Sequence, residues 1–255
     1  MRTQFEAIAD FIPIQWLEHE LVVAHPTNQW ISTPDFNRLF DSTSVNVSHL
    51  VIPDVEQEML YLFQNGEIVT SSPVWALTEA IADINTMIQT GSAESLNSLE
   101  LPRVLTKLDE IPFAAVGPDN SDLALLFTTI SRHIEATAVA VGEGQLRVGF
   151  QRLSRLQANE EDHTRSVYKR LAETDVDVHV YGRPDWFPPE SLSMTIHAGY
   201  TEDFLQNWFV VFRSANETMR AAFTAHEHGE GGWTGHWTFQ SDRVSDINSY
   251  LEQRL

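Results

Sequence analysis

The chain has no cysteine in its 255 residues. That excludes disulfides, thiolate nucleophiles and cysteine-ligated zinc. Lysine is nearly missing too: Lys107 and Lys169 are the only two among 16 basic residues, and the rest are arginine. No apolar run approaches the roughly 18 residues that a membrane-spanning helix needs. The opening MRTQFEAIADFIPIQW sets Glu6 and Asp10 inside its apolar stretch, unlike a secretion signal. The phosphate-cradling GxGxxG and GxxxxGK[ST], the nucleophile elbow GxSxG and the zinc-binding HExxH are all absent. No cofactor is implied by any motif, so its identity stays unknown, and the expected location is the cytoplasm.

Acid is abundant. Aspartate and glutamate number 36, and the net charge is −20 at pH 7. Such a field repels nucleic acid and anionic membrane, so neither is an expected partner. Many acids with few lysines match the proteins of salt-loving archaea. There, charge keeps protein soluble where the Debye length shrinks to about 3 Å. The charge is uneven, however. Arg147, Arg152, Arg155, Arg165, Lys169 and Arg170 form a local basic stretch on an acidic background.

Hydrophobic periodicity divides the chain into elements. HELVVAHP and VNVSHLVIP read as strands, with the helix PDFNRLF between them, capped by Thr33 and opened by Pro34. MLYLFQNGEIVT reads as a hairpin around Asn65-Gly66. A helix capped by Ser72 follows, with an apolar stripe of Trp75, Leu77, Ile81, Ile84 and Ile88, ended by Gly91. Residues 91–98, GSAESLNS, read as a linker between an N-terminal α/β segment (1–90) and a C-terminal region (99–255). LPRVLTKLDEIPF is a short helix opened by Pro102. A longer helix starts near Ser121 with Phe127, Ile130 and Ile134 on one face, and Gly142 and Gly144 break it. QLRVGFQRLSRLQ and HTRSVYKRLAE read as two further helices. Strands are expected at 176–181, 193–198, 208–213, 220–227 and 234–239, then a closing helix capped at Ser241. WFVVF, apolar throughout, should be a central strand covered on both faces. The fold class is α+β: an α/β N-terminal part, a helical middle and a largely antiparallel C-terminal sheet with a closing helix.

Three groups of residues are candidates for a site. Arg183, Asp185 and Trp186 follow the strand VDVHVYG, and Trp208 and Trp237 lie nearby in sequence pattern. Together they could wall a pocket for a planar ligand, or serve as core tryptophans and a turn-fixing ion pair. Arg152, Arg155, Arg165 and Lys169 suit an acidic partner or anion, or else pair with the local acids of EED at 160–162. His226, His228 and His236 in HEHGEGGWTGHW could hold zinc, depending on hairpin register. A five-residue loop sets His226 opposite His236, whereas a four-residue loop turns His236 to the other face. The alternative is a water-facing hairpin tip.

The segments LPRVLTKLDEIPF, LLFTTISRHIE, LRVGFQRLSRLQ, VYKRLAETDVDVHVYGRPDW, WFVVFRS and GHWTFQSDRVSDINSYL, in this order and spacing, resemble the DICT domain. That sensory domain is named for its occurrence with diguanylate cyclases and two-component systems. The acidic, lysine-poor composition resembles its halophilic-archaeal type. The resemblance spans about residues 70–255 and implies a sensory region at 99–255, forming one unit with the N-terminal part or standing apart from it. It implies a non-enzymatic signal-transduction protein that binds a small ligand or a signalling partner such as a histidine kinase or regulator, or that self-associates. Two other readings stay open: an adaptor acting through protein contacts alone, and a metal-dependent enzyme using the histidines.

Overall fold

A computed structural model describes residues 7–12, 19–26, 36–90, 101–109, 111–116, 121–157, 164–229 and 232–255. Its N-terminal part is the expected β-α-β followed by a hairpin. Strand β1 (His19–His25), helix α1 (Phe36–Phe40) and strand β2 (Val45–Val51) precede β3 (Met59–Gln64) and β4 (Glu67–Pro73). The sheet order is β2-β1-β3-β4, with β1 and β2 parallel. Asn65 and Gly66 both take positive φ, 54° and 81°, as a two-residue hairpin turn demands.

Helix α2 (Val74–Thr90) buries Leu77 and Ile81 as the stripe requires. Trp75 does not join them: it stands 56% exposed. Ser72 does not cap α2 either. Its Oγ accepts the Val104 N–H (3.3 Å), so it serves the start of α3 (Arg103–Lys107) instead. Thr33, Pro34, the side chains of Ile84 and Ile88, and the linker 91–98 lie outside the described residues.

The second sheet has seven strands in the order β5-β11-β10-β9-β6-β7-β8. These are β5 (Ile111–Val116), β6 (Glu143–Arg152), β7 (Asp175–Arg183), β8 (Thr195–Ala198), β9 (Asn207–Arg213), β10 (Ala221–His228) and β11 (Gly232–Thr238). The pairings from β5 to β6 are antiparallel, while β6-β7 and β7-β8 are parallel. Helices α4 (Ser121–Val141), α5 (Thr164–Leu171), α6 (Glu202–Leu205) and α7 (Ser241–Arg254) complete the chain. The architecture is α+β.

Two expectations are overturned in this half. QLRVGFQRLSRLQ is not a helix but strand β6 followed by a single 3-10 turn at Leu153–Leu156. It lies between β9 and β7, and both of its faces are covered: Leu146, Val148 and Phe150 face the main core, and Arg147 faces α7. Gly144 and Gly149 also weaken a helix there. Gly144 sits at φ +122°, and the Gly149 Cα faces the Phe209 ring so closely that a Cβ would lie 2.3 Å from it. The second is LPRVLTKLDEIPF, read as one short helix: α3 covers only Arg103–Lys107, and the final IPF opens edge strand β5, IPFAAV. Nor does Ser241 cap α7: it is the first helical residue, and its Oγ accepts from Arg220 (2.9 Å).

β9 occupies the centre of the sheet. Val210 and Phe212 point into a buried cluster that also holds Leu21, Leu60 and Leu62 of the four-stranded sheet and Ile130 and Ile134 of α4. Phe209 and Val211 point the other way, against Val244, Ile247 and Leu251 of α7 and against Ile8 and Phe11. The first cluster therefore runs through both sheets. Backbone bonds also join them: Ala114 N–H donates to the Ser42 carbonyl (2.9 Å) and Ser44 N–H to that of Pro112 (3.3 Å).

Candidate ligand pocket

At its carboxyl end β6 is irregular. The register to β7 slips between Gly149 and Arg152, and Gln151 takes a left-handed φ of +60°. Its side chain donates to Glu227 (2.6 Å) on β10. From there the chain passes through the 3-10 turn to α5 and returns along β7, parallel to β6. In such a β-α-β unit the carboxyl end of the strand and the amino end of the helix face one crevice, the usual place for a ligand in parallel sheets.

A cavity of about 290 Å³ occupies that crevice. Helix α4 contributes Thr128, Ser131, Arg132 and Glu135. Their three- and four-residue spacing sets them on one helical face. Phe150 of β6 and Trp208 of β9, directly paired across the sheet, form an aromatic wall with Val210. Arg155 of the 3-10 turn and Thr164, the first residue of α5, complete the lining.

The polar part of the lining is tightly organised. The Arg132 guanidinium donates to Glu135 Oε2 (2.6 Å) and to Thr164 Oγ1 (2.7 Å), tying α4 to the start of α5. Tyr168 donates to the other Glu135 oxygen (2.8 Å), and its ring meets that of Phe150 edge-on at 5.6 Å. Both carboxylate oxygens of Glu135 are thus engaged. Ser131 Oγ is buried and has no hydrogen-bond partner among the described residues. Among the described residues the lining carries two arginines, Arg132 and Arg155, and one glutamate, Glu135.

Of the residues singled out in the sequence, Trp208 and Arg155 reach this pocket. Trp237 is fully buried elsewhere, its Nε1 donating to the Leu108 carbonyl (2.6 Å). Trp186 is half-buried against the main core. Arg183 lies 3.7 Å from Asp185, and Asp185 accepts from the Ser154 backbone N–H (2.9 Å) and hydroxyl (2.8 Å). Burial pushes the Asp185 carboxyl up. The Ser154 bonds, with Arg183, outweigh it and hold the pKa below its ordinary value. Asp185 therefore fastens the turn that carries Arg155. Asp185→Ala should cost about 1 kcal/mol, the net of its hydrogen bonds at a partly exposed site, read as a lower urea midpoint at pH 7.

Arg152 lies exposed at the end of β6, Lys169 is exposed on α5, and Arg165 is half-buried on its first turn. Arg152 and Arg155 do not share a helical face. Residues 160–162, the acids assigned to these bases, lie outside the described residues. The His226 and His228 rings meet edge-on at 4.8 Å, but His236 does not join them. The last hairpin pair is His228 with Gly232, a tighter turn than either loop considered. His226 then opposes Thr234 and His236 opposes Thr224. Each ring has its own polar neighbour: Asn207 for His226 (3.0 Å), Thr234 for His228 (2.6 Å) and Thr224 for His236 (2.9 Å). Among the described residues no group of three or more His, Asp or Glu is arranged to hold a metal.

Sequence reasoning missed Ser131, Arg132, Glu135, Thr164 and Tyr168. The available signal was a polar face on the otherwise apolar helix segment TTISRHIEA. It also missed a network beyond the pocket, where Asp177, His179 and His197 form a chain with contacts of 2.9 and 2.9 Å.

Residues 105–228 match a protein-family model described as "Sensory domain in DIguanylate Cyclases and Two-component system". Every residue lining the cavity falls inside that interval. No curated protein matches the chain. Among solved structures the chain is similar to "Crystal Structure of Polyphosphate Kinase from Porphyromonas Gingivalis", at 10% identity and a TM-score of 0.35, covering 94% of this chain and 46% of that one.

Proposed function

We propose that this chain is a cytoplasmic, non-enzymatic sensory protein whose input is a small molecule held in the α4–β6–α5 pocket. The observation that carries this reading is the position of the pocket: wholly within the sensory-family interval, at the carboxyl end of a parallel strand. Helix α5 links input to output. Its first residue, Thr164, touches the pocket, and Arg165 and Lys169 lie on its first and second turns. With Arg152 they form the surface offered to a signalling partner, such as a histidine kinase or regulator, or to a second copy. A chain of net −20 suits neither nucleic acid nor an anionic membrane directly, and the acid-rich, lysine-poor composition fits the halophilic type. No helix among the described residues is long and apolar enough to cross a membrane.

Thr128→Trp tests the reading. Thr128 is partly exposed on α4, so an indole there fills the cavity without disturbing the core. Native mass spectrometry of the wild-type protein should show a small-molecule adduct that the variant lacks, with both melting within a few degrees of each other. A wild-type protein with no adduct, and a variant that signals like it, would favour an adaptor acting through protein contacts alone.

A further inference from the structure

Asp177 and His179 lie on β7, and His197 lies on the edge strand β8. His179 pairs with Arg147 across the sheet, so the three sit on the face away from the pocket. His179 Nε2 is 2.9 Å from Asp177 Oδ2, and its Nδ1 is 2.9 Å from His197 Nε2. That leaves His197 Nδ1 for the backbone carbonyl of Leu255, the residue that ends α7, which bonds this ring. Tyr181 stacks on His197 at 4.3 Å, 9° from parallel, and fixes the plane of the ring. Helix α7 is thus held at two places. Arg147 bonds Asn248 in its middle, and His197 bonds its end.

The row has three contacts and two rings. Its two ends, a carboxylate and a carbonyl, can only accept. Each contact therefore needs one N–H proton, and two neutral imidazoles carry two. All three contacts are satisfied only when the pair binds a third proton. Asp177 does not take it. Burial pushes its carboxyl up, but the contacts with His179 and Gln145, with the Arg147 charge, outweigh that and hold its pKa below the ordinary value. His197 is a poor site too, because burial and then repulsion from His179 and Arg147 lower its pKa. His179, beside the carboxylate, is the ring that takes the charge. No other acid on this face replaces Asp177 among the described residues. Glu252 of α7 is 3.8 Å from Arg147, and Asp203 of α6 and Arg254 of α7 face Tyr250.

When the third proton leaves, two lone pairs must meet at one contact. The bond to the carboxylate is charge-assisted, roughly twice as strong as a neutral one, and keeps its N–H. His179 then turns a bare Nδ1 to His197, which donates from Nε2. The bare Nδ1 of His197 is left facing the Leu255 carbonyl, so the contact that fails is the one on α7.

We propose that the His179–His197 pair binds one proton and uses it to latch the end of α7 to edge strand β8. The latch is closed with the proton on and opens as pH rises. It gives the chain a second input, whether or not the pocket holds a ligand.

Nitrogen-15 NMR of the full chain from about pH 5.5 to 9 spans the free imidazole value of about 6.5. At the lower end both nitrogens of His179 should be protonated, and His197 should be neutral with its proton on Nδ1. At the upper end the His197 proton should have moved to Nε2. The Leu255 N–H, which donates to the Leu251 carbonyl (3.2 Å), reports the latch. Its exchange protection should fall about two- to tenfold as the pair loses its proton, the span of one net hydrogen bond. Asp177→Asn isolates the proton at a side chain that is 54% exposed. An asparagine amide can donate to His179 Nε2, so two neutral rings then satisfy all three contacts. Leu255 protection in that variant should stay high and level across the range. An equal fall in wild type and Asp177→Asn overturns the proposal. So does wild-type protection that ignores the titration, or a His197 ring that carries the charge.

Discussion

Arg147→Ala is expected to lower folding stability by about 3–5 kcal/mol, from two buried polar partners left unsatisfied at about 1–3 kcal/mol each and the cavity beside them. Arg147 lies on β6, one of the inner strands, and is only 2% exposed. Its Nε donates to Asn248 Oδ1 on α7 (3.0 Å) and its Nη1 to the Tyr181 hydroxyl on β7 (2.5 Å). Glu252, 3.8 Å from Nη2, lies at the solvent edge with 59% of its side chain exposed. Alanine removes the guanidinium and leaves the polar ends of Asn248 and Tyr181 buried with those bonds broken, beside a cavity the sheet cannot collapse. Burial already pushes the Tyr181 phenol up, and the neighbouring Arg147 charge pulls against it, so its pKa should rise further in the variant. Two companions separate the causes. Glu252→Gln, at an exposed pair, should change stability by less than about 1 kcal/mol. Arg147→Lys keeps the charge but cannot reach both Tyr181 and Asn248 with a rigid fork, and should fall between. Urea midpoints of the three variants rank these effects. An alanine variant within about 1 kcal/mol of wild type would falsify the view that Arg147 pins α7 to the sheet.

Arg147 also shows where sequence reasoning stops. In the sequence it is one of six bases in a short stretch and counts toward a basic surface. In the fold it faces the opposite side of the sheet from the pocket and is buried. Charge is visible in a sequence, but burial is a property of what folds on top. The same limit governs β6. Val148, Phe150, Leu153 and Leu156 fit a helical spacing, whereas an inner strand buried on both faces has no polar–apolar alternation to betray it. The strands β7 to β11 were legible because period two survives in VDVHVYG, and WFVVF could be placed at the centre by its unbroken apolarity. The hairpin at Asn65-Gly66 was legible because the turn needs those residue types. The pocket was not legible as a unit. It assembles Arg132, Phe150, Thr164 and Trp208 from four elements, and only the topology brings them together. The histidine hairpin failed for a smaller reason: register depends on the turn, and the turn is tighter than its glycines suggested.

Lowering the pH from 7.5 to 5 should cost about 2 kcal/mol of stability through His236 alone. This ring is fully buried on β11. Its Nδ1 lies 2.9 Å from the Thr224 hydroxyl, and its Nε2 has no hydrogen-bond partner among the described residues. Burial disfavours the charged imidazolium, and the Arg243 guanidinium adds repulsion, so the pKa falls from 6.5 to about 3. The unfolded chain therefore binds a proton near pH 6.5 that the folded chain refuses until about pH 3. Stability is fully present above pH 6.5 and falls toward pH 3 at up to about 1.4 kcal/mol per unit, which gives the value at pH 5. His197 and His226 are also shifted down, each chiefly by burial, so they steepen the same slope. Asp177 and Asp185 are shifted down from 3.8, so their contribution is lost only in more acidic solution and does not confuse the comparison. His236→Leu separates the cause. It removes the titrating ring and the unpartnered Nε2 but leaves the buried Thr224 hydroxyl without its His236 partner, so it should cost about 1–2 kcal/mol at pH 7.5, while its loss between pH 7.5 and 5 should be smaller by about 2 kcal/mol. Urea unfolding of both proteins at the two pH values measures this. Parallel pH dependences would show that His236 does not carry the acid sensitivity of the fold.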